Sequence, residues 1–102
     1  MKLNQTDGHA MKQAMLTYLR ANPGIVDRAA ETRLAGSKPF IDPDGYLRIG
    51  EWLVESRNND VTVTRRRREG SYFFLTVALL EHSSERRWQV RNISHERHSI
   101  LR

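Results

Sequence analysis

The sequence predicts a single α+β domain in which helices come first and an antiparallel sheet follows. Before residue 36, apolar residues recur at helical spacing, and from residue 61 onwards they follow the pattern of β-strands. Glu69 and Gly70 separate two β-prone segments, which indicates a hairpin. The length of 102 residues suits a single core, so we expect residues 1–102 to form one compact domain.

The first predicted helix begins at Asp7, because an aspartate side chain can accept hydrogen bonds from the free N–H groups at a helix start. Five apolar residues then fall on one helical face, which is expected to be buried. These residues are Met11, Ala14, Met15, Tyr18 and Leu19.

Asn22, Pro23 and Gly24 interrupt this helical pattern. Proline is tolerated in the first turn of a helix, so we predict that Asn22 caps a second helix starting at Pro23. Gly36 is predicted to follow directly after its last residue. The segment therefore forms either two short helices or one kinked helix.

Residues 37–45 contain two prolines and an Asp-Gly pair, and we predict a loop there. Residues 46–57 are ambiguous. Their composition is typical of a strand and Gly50 disfavours a helix. Three apolar residues nevertheless keep helical spacing: Tyr46, Ile49 and Leu53. We favour a strand.

Residues 61–68 and 71–80 are predicted to form the arms of the hairpin, followed by a half-exposed strand at 86–94 and a polar tail at 95–102. The second arm is apolar on both faces. Such an arm is either a central strand covered on both sides, or one covered on one side and used for association on the other. We expect one face to pack against the first helix, namely Phe73, Leu75, Val77 and Leu79.

These elements predict an N-terminal helix, or a kinked helix pair, packed on an antiparallel meander of about four strands. This arrangement is similar in outline to the cystatin-like and NTF2-like folds, in which a curved sheet wraps an N-terminal helix. The resemblance concerns architecture alone and implies no activity, because such folds carry many unrelated functions.

The formal net charge of +5 favours anionic partners, and the basic residues are mostly arginine. On a strand, Arg65 and Arg67 point to one face and Arg66 and Arg68 to the other. Two later arginines are candidates to extend one of these pairs into a stripe, together with three aromatic residues that are also candidate interface residues. They are Arg87, Arg91, Tyr72, Phe74 and Trp88.

An arginine stripe beside aromatic rings is typical of proteins that bind single-stranded nucleic acid, where phosphates contact arginine and bases stack on rings. A charged edge strand that prevents aggregation would carry the same residues. The arginine content is also what a GC-rich genome produces without selection for binding.

Several classes of site are not predicted. The sequence has no cysteine, and His95 and His98 lack the spacing that places two histidines on one helix face, so we expect no metal and no cofactor. The longest apolar run is too short to span a bilayer and the N-terminus lacks a signal-peptide pattern, so no membrane association and a cytoplasmic location are expected.

The sequence favours a non-enzymatic protein that binds a protein partner, or a second copy of itself, through a sheet face. The alternative is a nucleic-acid-binding protein that uses the arginine stripe. A small pocket enzyme of the NTF2-like type is a third hypothesis. The sequence favours it less than the other two, because no paired acid and base emerge and no catalytic residue is predicted.

Overall fold

The computed structural model describes residues 3–57, 60–82 and 87–100, and shows two helices packed on a six-stranded antiparallel sheet. Each strand pairs with the next along the chain. The elements are α1 (Gln5–Ala21), α2 (Arg28–Gly36), β1 (Pro39–Ile41), β2 (Leu47–Ile49), β3 (Trp52–Arg57), β4 (Asp60–Glu69), β5 (Tyr72–His82) and β6 (Trp88–Ser99). The α+β class and the antiparallel meander are confirmed, but the expected number of about four strands is wrong.

The additional strands come from residues 37–57. β1 lies inside the predicted loop, and the ambiguous segment forms two strands, β2 and β3, that turn at Gly50. Gly50 has a φ of 59°, and a Cβ atom there would collide with the side chain of Ser37. A residue other than glycine would therefore meet both backbone strain and a clash at this turn.

Asp42 organises the turn between β1 and β2. One carboxylate oxygen accepts hydrogen bonds from the backbone N–H groups of Asp44 at 3.0 Å and Tyr46 at 2.9 Å. The other accepts from Nε of Arg48 at 2.7 Å. The bond from Arg48, followed by those from the backbone, lowers the pKa of the Asp42 carboxyl from its ordinary value.

Both helix starts differ from the prediction. Asn4, and not Asp7, caps α1: its side chain accepts from the Asp7 N–H at 2.9 Å, and the Asp7 carboxylate accepts from the Asn4 N–H at 3.0 Å. α2 is capped by Asp27 and not Asn22, and it includes Gly36 as its last residue. These predictions were wrong because a better-placed polar side chain precedes each helix.

The core lies between the helices and one face of the sheet, which we call the inner face. Helix residues Met11, Met15 and Leu19 pack there against Ile49, Trp52, Val61 and Val63 from the strands. On β5 the fully buried apolar residues are Ala78 and Leu80, which pair with Val63 and Val61.

The predicted orientation of β5 is therefore wrong. The side chains of Phe73, Leu75, Val77 and Leu79 lie on the opposite face, which we call the outer face, and are only half-buried. β5 is apolar on both sides, so its own alternation could not decide the orientation. Its neighbour β4 decides it, because β4 offers two valines to the core and two threonines to the outer face.

A β-bulge interrupts the pairing of β5 with β6. Leu79 pairs with Asn92 and Leu80 with Val90, so Arg91 is an extra residue on β6. β6 then continues to Ser99, and the predicted polar tail from residue 95 is largely a strand.

Candidate binding surfaces on the sheet

An apolar patch occupies the middle of the outer face. The cross-strand register aligns Leu53, Thr64, Val77 and Ser94 in one row across β3 to β6. Leu75 and Leu79 flank Val77 on β5 and, with Leu53 and Val77, form the apolar patch. All four of its side chains are half-buried, and the described helices pack on the other side of the sheet.

A group of positive side chains, which we call the basic end, lies where β4 turns into β5. It comprises the cations Arg66 and Arg68 with the rings of Phe73 and His98, and Glu96 lies beside it on β6. Arg66, Arg68 and Phe73 bound part of a groove of about 600 Å³. The Arg66 guanidinium lies 4.3 Å from the centre of the Phe73 ring, and that ring stacks on His98 at 5.0 Å. Within the described residues, no carboxylate forms an ion pair with Arg66 or Arg68, whereas Nε2 of His98 lies 3.0 Å from the Glu96 carboxylate.

Three carboxylates form an acidic end at the other extremity of the outer face. Glu55 pairs with Thr62 across the strands, and Asp60 pairs with Glu81. Arg91 approaches Glu81 with 3.7 Å between Nε and the carboxylate, and both side chains are about half exposed. Along the strand direction, the outer face therefore changes from an end with more arginines, where Glu96 is the carboxylate, through the apolar patch to an end with more carboxylates. At this second end the register pairs Arg57 with Asp60, and Arg91 approaches Glu81.

Arg65, by contrast, belongs to the inner face and is 4% exposed. Its guanidinium lies 5.5 Å from the centre of the Trp52 ring, and Nη1 is 3.5 Å from the Glu51 carboxylate. The buried Nε has no hydrogen-bond partner among the described residues. Arg65 therefore extends the core and is not available to a ligand.

The inner face also carries a small groove of about 360 Å³ beside the start of α2. There, the Phe74 and His95 rings stack at 5.3 Å, and Arg67 lies 3.5 Å from the Glu69 carboxylate. Asp27 has a lowered pKa, first because the Ala30 N–H donates to it and then because of the charges of Arg33, Arg65 and Arg67. Asp27 and Glu69 therefore offset part of the positive charge of Arg65 and Arg67 in this groove.

The structure separates the residues of the predicted arginine stripe. The run from 65 to 68 divides between the two faces as its alternation predicts. Arg87 and Arg91 lie next to neither pair of arginines from this run. β6 is antiparallel to β5, so its first residues lie at the end of the sheet away from the turn between β4 and β5. Arg97 is the arginine of β6 at the same end of the sheet as the run: it pairs with Phe74 on β5, which separates it from β4, and its guanidinium lies 4.8 Å from the centre of the Tyr72 ring. Arg97 and His98 were missed from the sequence because the predicted strand ends at residue 94. A strand that continues to Ser99 brings both residues to the end of the sheet where Arg66 and Arg68 lie.

Of the predicted interface residues, Trp88 is buried in the core at 7% exposure. Its Nε1 points to the Asp7 carboxylate at 3.4 Å, and its ring stacks on His82. Tyr72 and Phe74 lie on the inner-face side of β5, beyond the part that the helices bury. None of the three contributes to the outer face.

No protein-family model, curated protein or solved structure matches this chain. The outline similarity to cystatin-like and NTF2-like folds is not confirmed. Within the described residues, no helix is long and apolar enough to cross a membrane, and no group of three or more His, Asp or Glu side chains could hold a metal ion. Function has to be inferred from the chemistry of the surfaces described above.

Proposed function

We propose that this chain is a non-enzymatic binding protein whose outer sheet face receives another protein. The supporting observation is the apolar patch. An antiparallel sheet with one solvated face normally alternates between apolar residues inside and polar residues outside. Four apolar side chains in the middle of the face opposite α1 and α2 depart from that pattern, and such patches are typical of interaction sites.

The chemistry around the patch also suits a protein interface. Four of its flanking residues on β4 and β6 are uncharged, namely Thr62, Thr64, Asn92 and Ser94, whereas Leu75 is flanked by Arg66 and Glu96. These two charges form part of a polar rim around the apolar centre, as is usual in protein interfaces. Each apolar side chain is already half-buried and would gain less than about 1.5 kcal/mol from full burial. Stable binding therefore requires a partner that covers the whole patch.

A photo-crosslinking side chain at Thr64 tests this proposal directly. Thr64 lies beside Val77 on the outer face, and a substitution there does not enter the core. Gln13, exposed on α1, is the matched control position. On irradiation in the source cells, we expect protein adducts from position 64 and few from position 13. Equal labelling from both positions, or no protein adduct at 64, would exclude the outer face as a protein-binding surface.

A second candidate function is the binding of single-stranded nucleic acid at the basic end. It is favoured by two arginines without carboxylate partners among the described residues, next to the stacked rings of Phe73 and His98. Phosphates would bind Arg66 and Arg68, which lie about 7 Å apart along the strand, and a base would stack on the rings.

Anisotropy titrations with a labelled oligonucleotide at two salt concentrations distinguish this second candidate. For R66S/R68S we expect weaker binding. The slope of the logarithm of the binding constant against the logarithm of the salt concentration should be shallower by about 1.4, the value for two lost phosphate contacts on a single strand. The control R20S/R28S removes the same charge from the helices and should bind as the parent does. Undetectable binding of the parent at low salt would eliminate this candidate.

A further inference from the structure

We infer that the protein received by the outer face is a second copy of this chain, an inference that rests on the proposed function of this face. The outer face is complementary to itself. Along the strands it has a basic end with Arg66 and Arg68, a central apolar patch, and an acidic end with Glu55, Asp60 and Glu81. One opposite charge lies in the strand register of each end, Glu96 beside Leu75 and Arg57 beside Asp60. A surface of this kind matches its own copy when the copy is turned end to end.

The register fixes where a twofold axis would pass. Thr64 and Val77 are paired in the central row. A twofold axis parallel to this row, and therefore perpendicular to the strands, would lie midway between two sheets stacked by their outer faces. On β5, Leu75 and Leu79 are equidistant from Val77. On β4, Arg68 and Asp60 are equidistant from Thr64. Rotation about this axis therefore places Leu75 over Leu79 of the second copy, and Arg68 over Asp60.

Charge selects this arrangement over the alternative. Stacking two sheets with their strands in the same direction would bring basic end against basic end, with Arg66 and Arg68 of both copies together. End-to-end stacking instead gives two symmetric contacts between arginines and the carboxylates of Glu55, Asp60 and Glu81. The rotation of about 30° between packed sheets leaves each basic end over this acidic group. The contact between Arg91 and Glu81 is long and exposed, so it competes only weakly with a contact from Glu81 to an arginine of the second copy.

The size of the outer face sets the expected strength of the dimer. From Asp60 to Arg68 the strand extends about 27 Å, and the four strands β3 to β6 span about 19 Å. Each copy would therefore bury about 500 Å², or about 1,000 Å² in total, which is near the lower limit for a specific interface. A reversible dimer that dissociates on dilution is expected.

Charge reversal tests the arrangement by sedimentation equilibrium. R66E/R68E makes both ends of the outer face acidic, and D60K/E81K makes both ends basic. In each homodimer both symmetric contacts become repulsive, so we expect the dissociation constant to rise at least tenfold, an order-of-magnitude figure. An equimolar mixture should regain the affinity of the parent, because each contact then joins opposite charges.

The axis has a test of its own. Val77 would face the Val77 of the second copy, so V77K and V77E should each fail to dimerise alone and should associate with each other. Circular dichroism confirms that each variant is folded, and the charge-reversed positions are exposed or half-exposed on the strand surface.

Three results would overturn the inference: a parent chain that stays monomeric up to about 1 mM, a dimer unaffected by both reversals, or a mixture that does not reassociate. Crosslinks from position 64 to a different protein would refute the second copy while supporting the proposed function. Crosslinks to nucleic acid alone would refute both.

Discussion

Leu79 and Leu80 are consecutive on β5 and have opposite environments: Leu80 is fully buried beneath the helices, whereas Leu79 is half-buried on the outer face. One apolar strand therefore supplies both the core and the surface proposed for binding. Because the side chains alternate, substitutions one residue apart can alter either the core or the surface proposed for binding.

Alanine substitutions on the two faces of β5 should have different costs. L80A removes a fully buried side chain and should lower the free energy of unfolding by about 2–5 kcal/mol. L75A, on the outer face, should cost less than about 1 kcal/mol in the monomer. Urea denaturation at low protein concentration measures both values. Equal losses for the two variants would contradict the assignment of faces.

Gly8 should not tolerate alanine, although alanine is the better helix former by about 1 kcal/mol. A Cβ atom at Gly8 would lie 2.6 Å from Cβ of Pro39, because α1 rests directly on β1. We expect G8A to be destabilised by about 1–2 kcal/mol in chemical denaturation. G36A is the matched control, since its added Cβ would meet nothing within 4 Å. A gain in stability for G8A would show that α1 shifts away from Pro39 at little cost.

Asp42 should give the stability a defined pH dependence. Its pKa is lowered in the folded state by Arg48 and by two backbone N–H groups, so the ionised form stabilises the fold. This contribution is complete well above pH 3.8, the ordinary value, and is lost as the pH falls through the lower folded-state pKa. D42N should therefore be less stable than the parent at pH 7, and the difference should shrink in acid. A difference that is independent of pH would contradict this account.

Arg65 offers a test of whether a buried guanidinium is needed for stability. Its Nε is unsatisfied within the described residues, and its ion pair with Glu51 is long. Replacing such a group by an apolar residue is often neutral or stabilising. We expect R65M to be as stable as the parent, or more stable by about 1 kcal/mol, in thermal or urea unfolding. A large loss would show that the contacts with Trp52 and Glu51 carry substantial energy.

The long strands could be predicted from the sequence because their signals are local. Residues 61–80 combine β-prone segments with a turn, and the alternation of Arg65 to Arg68 correctly predicted that the run divides between two faces. By contrast, the sequence predicts a loop where β1 lies and a single strand where β2 and β3 lie. Strands of three residues carry too little periodicity, and they are fixed by the turns at Asp42 and Gly50.

The candidate surfaces depended on long-range pairing that local patterns do not contain. The orientation of β5 follows from Val61 and Val63 on its neighbour. Likewise, the basic end includes His98 and excludes Arg87 because β6 is antiparallel and extends to Ser99. A sequence pattern gives the faces of a strand, but only the register decides which residues of different strands lie together.

The extra residue at Arg91 makes β6 sensitive to its length more than to its composition. Trp88 and Ile93 are five positions apart, and in a regular strand they would point to opposite sides; the bulge brings both into the core. Many side chains could replace Arg91, since it is exposed. Deleting it would turn one half of the strand over, exposing either the tryptophan or the isoleucine. In this part of the chain, a one-residue deletion would be more harmful than most substitutions.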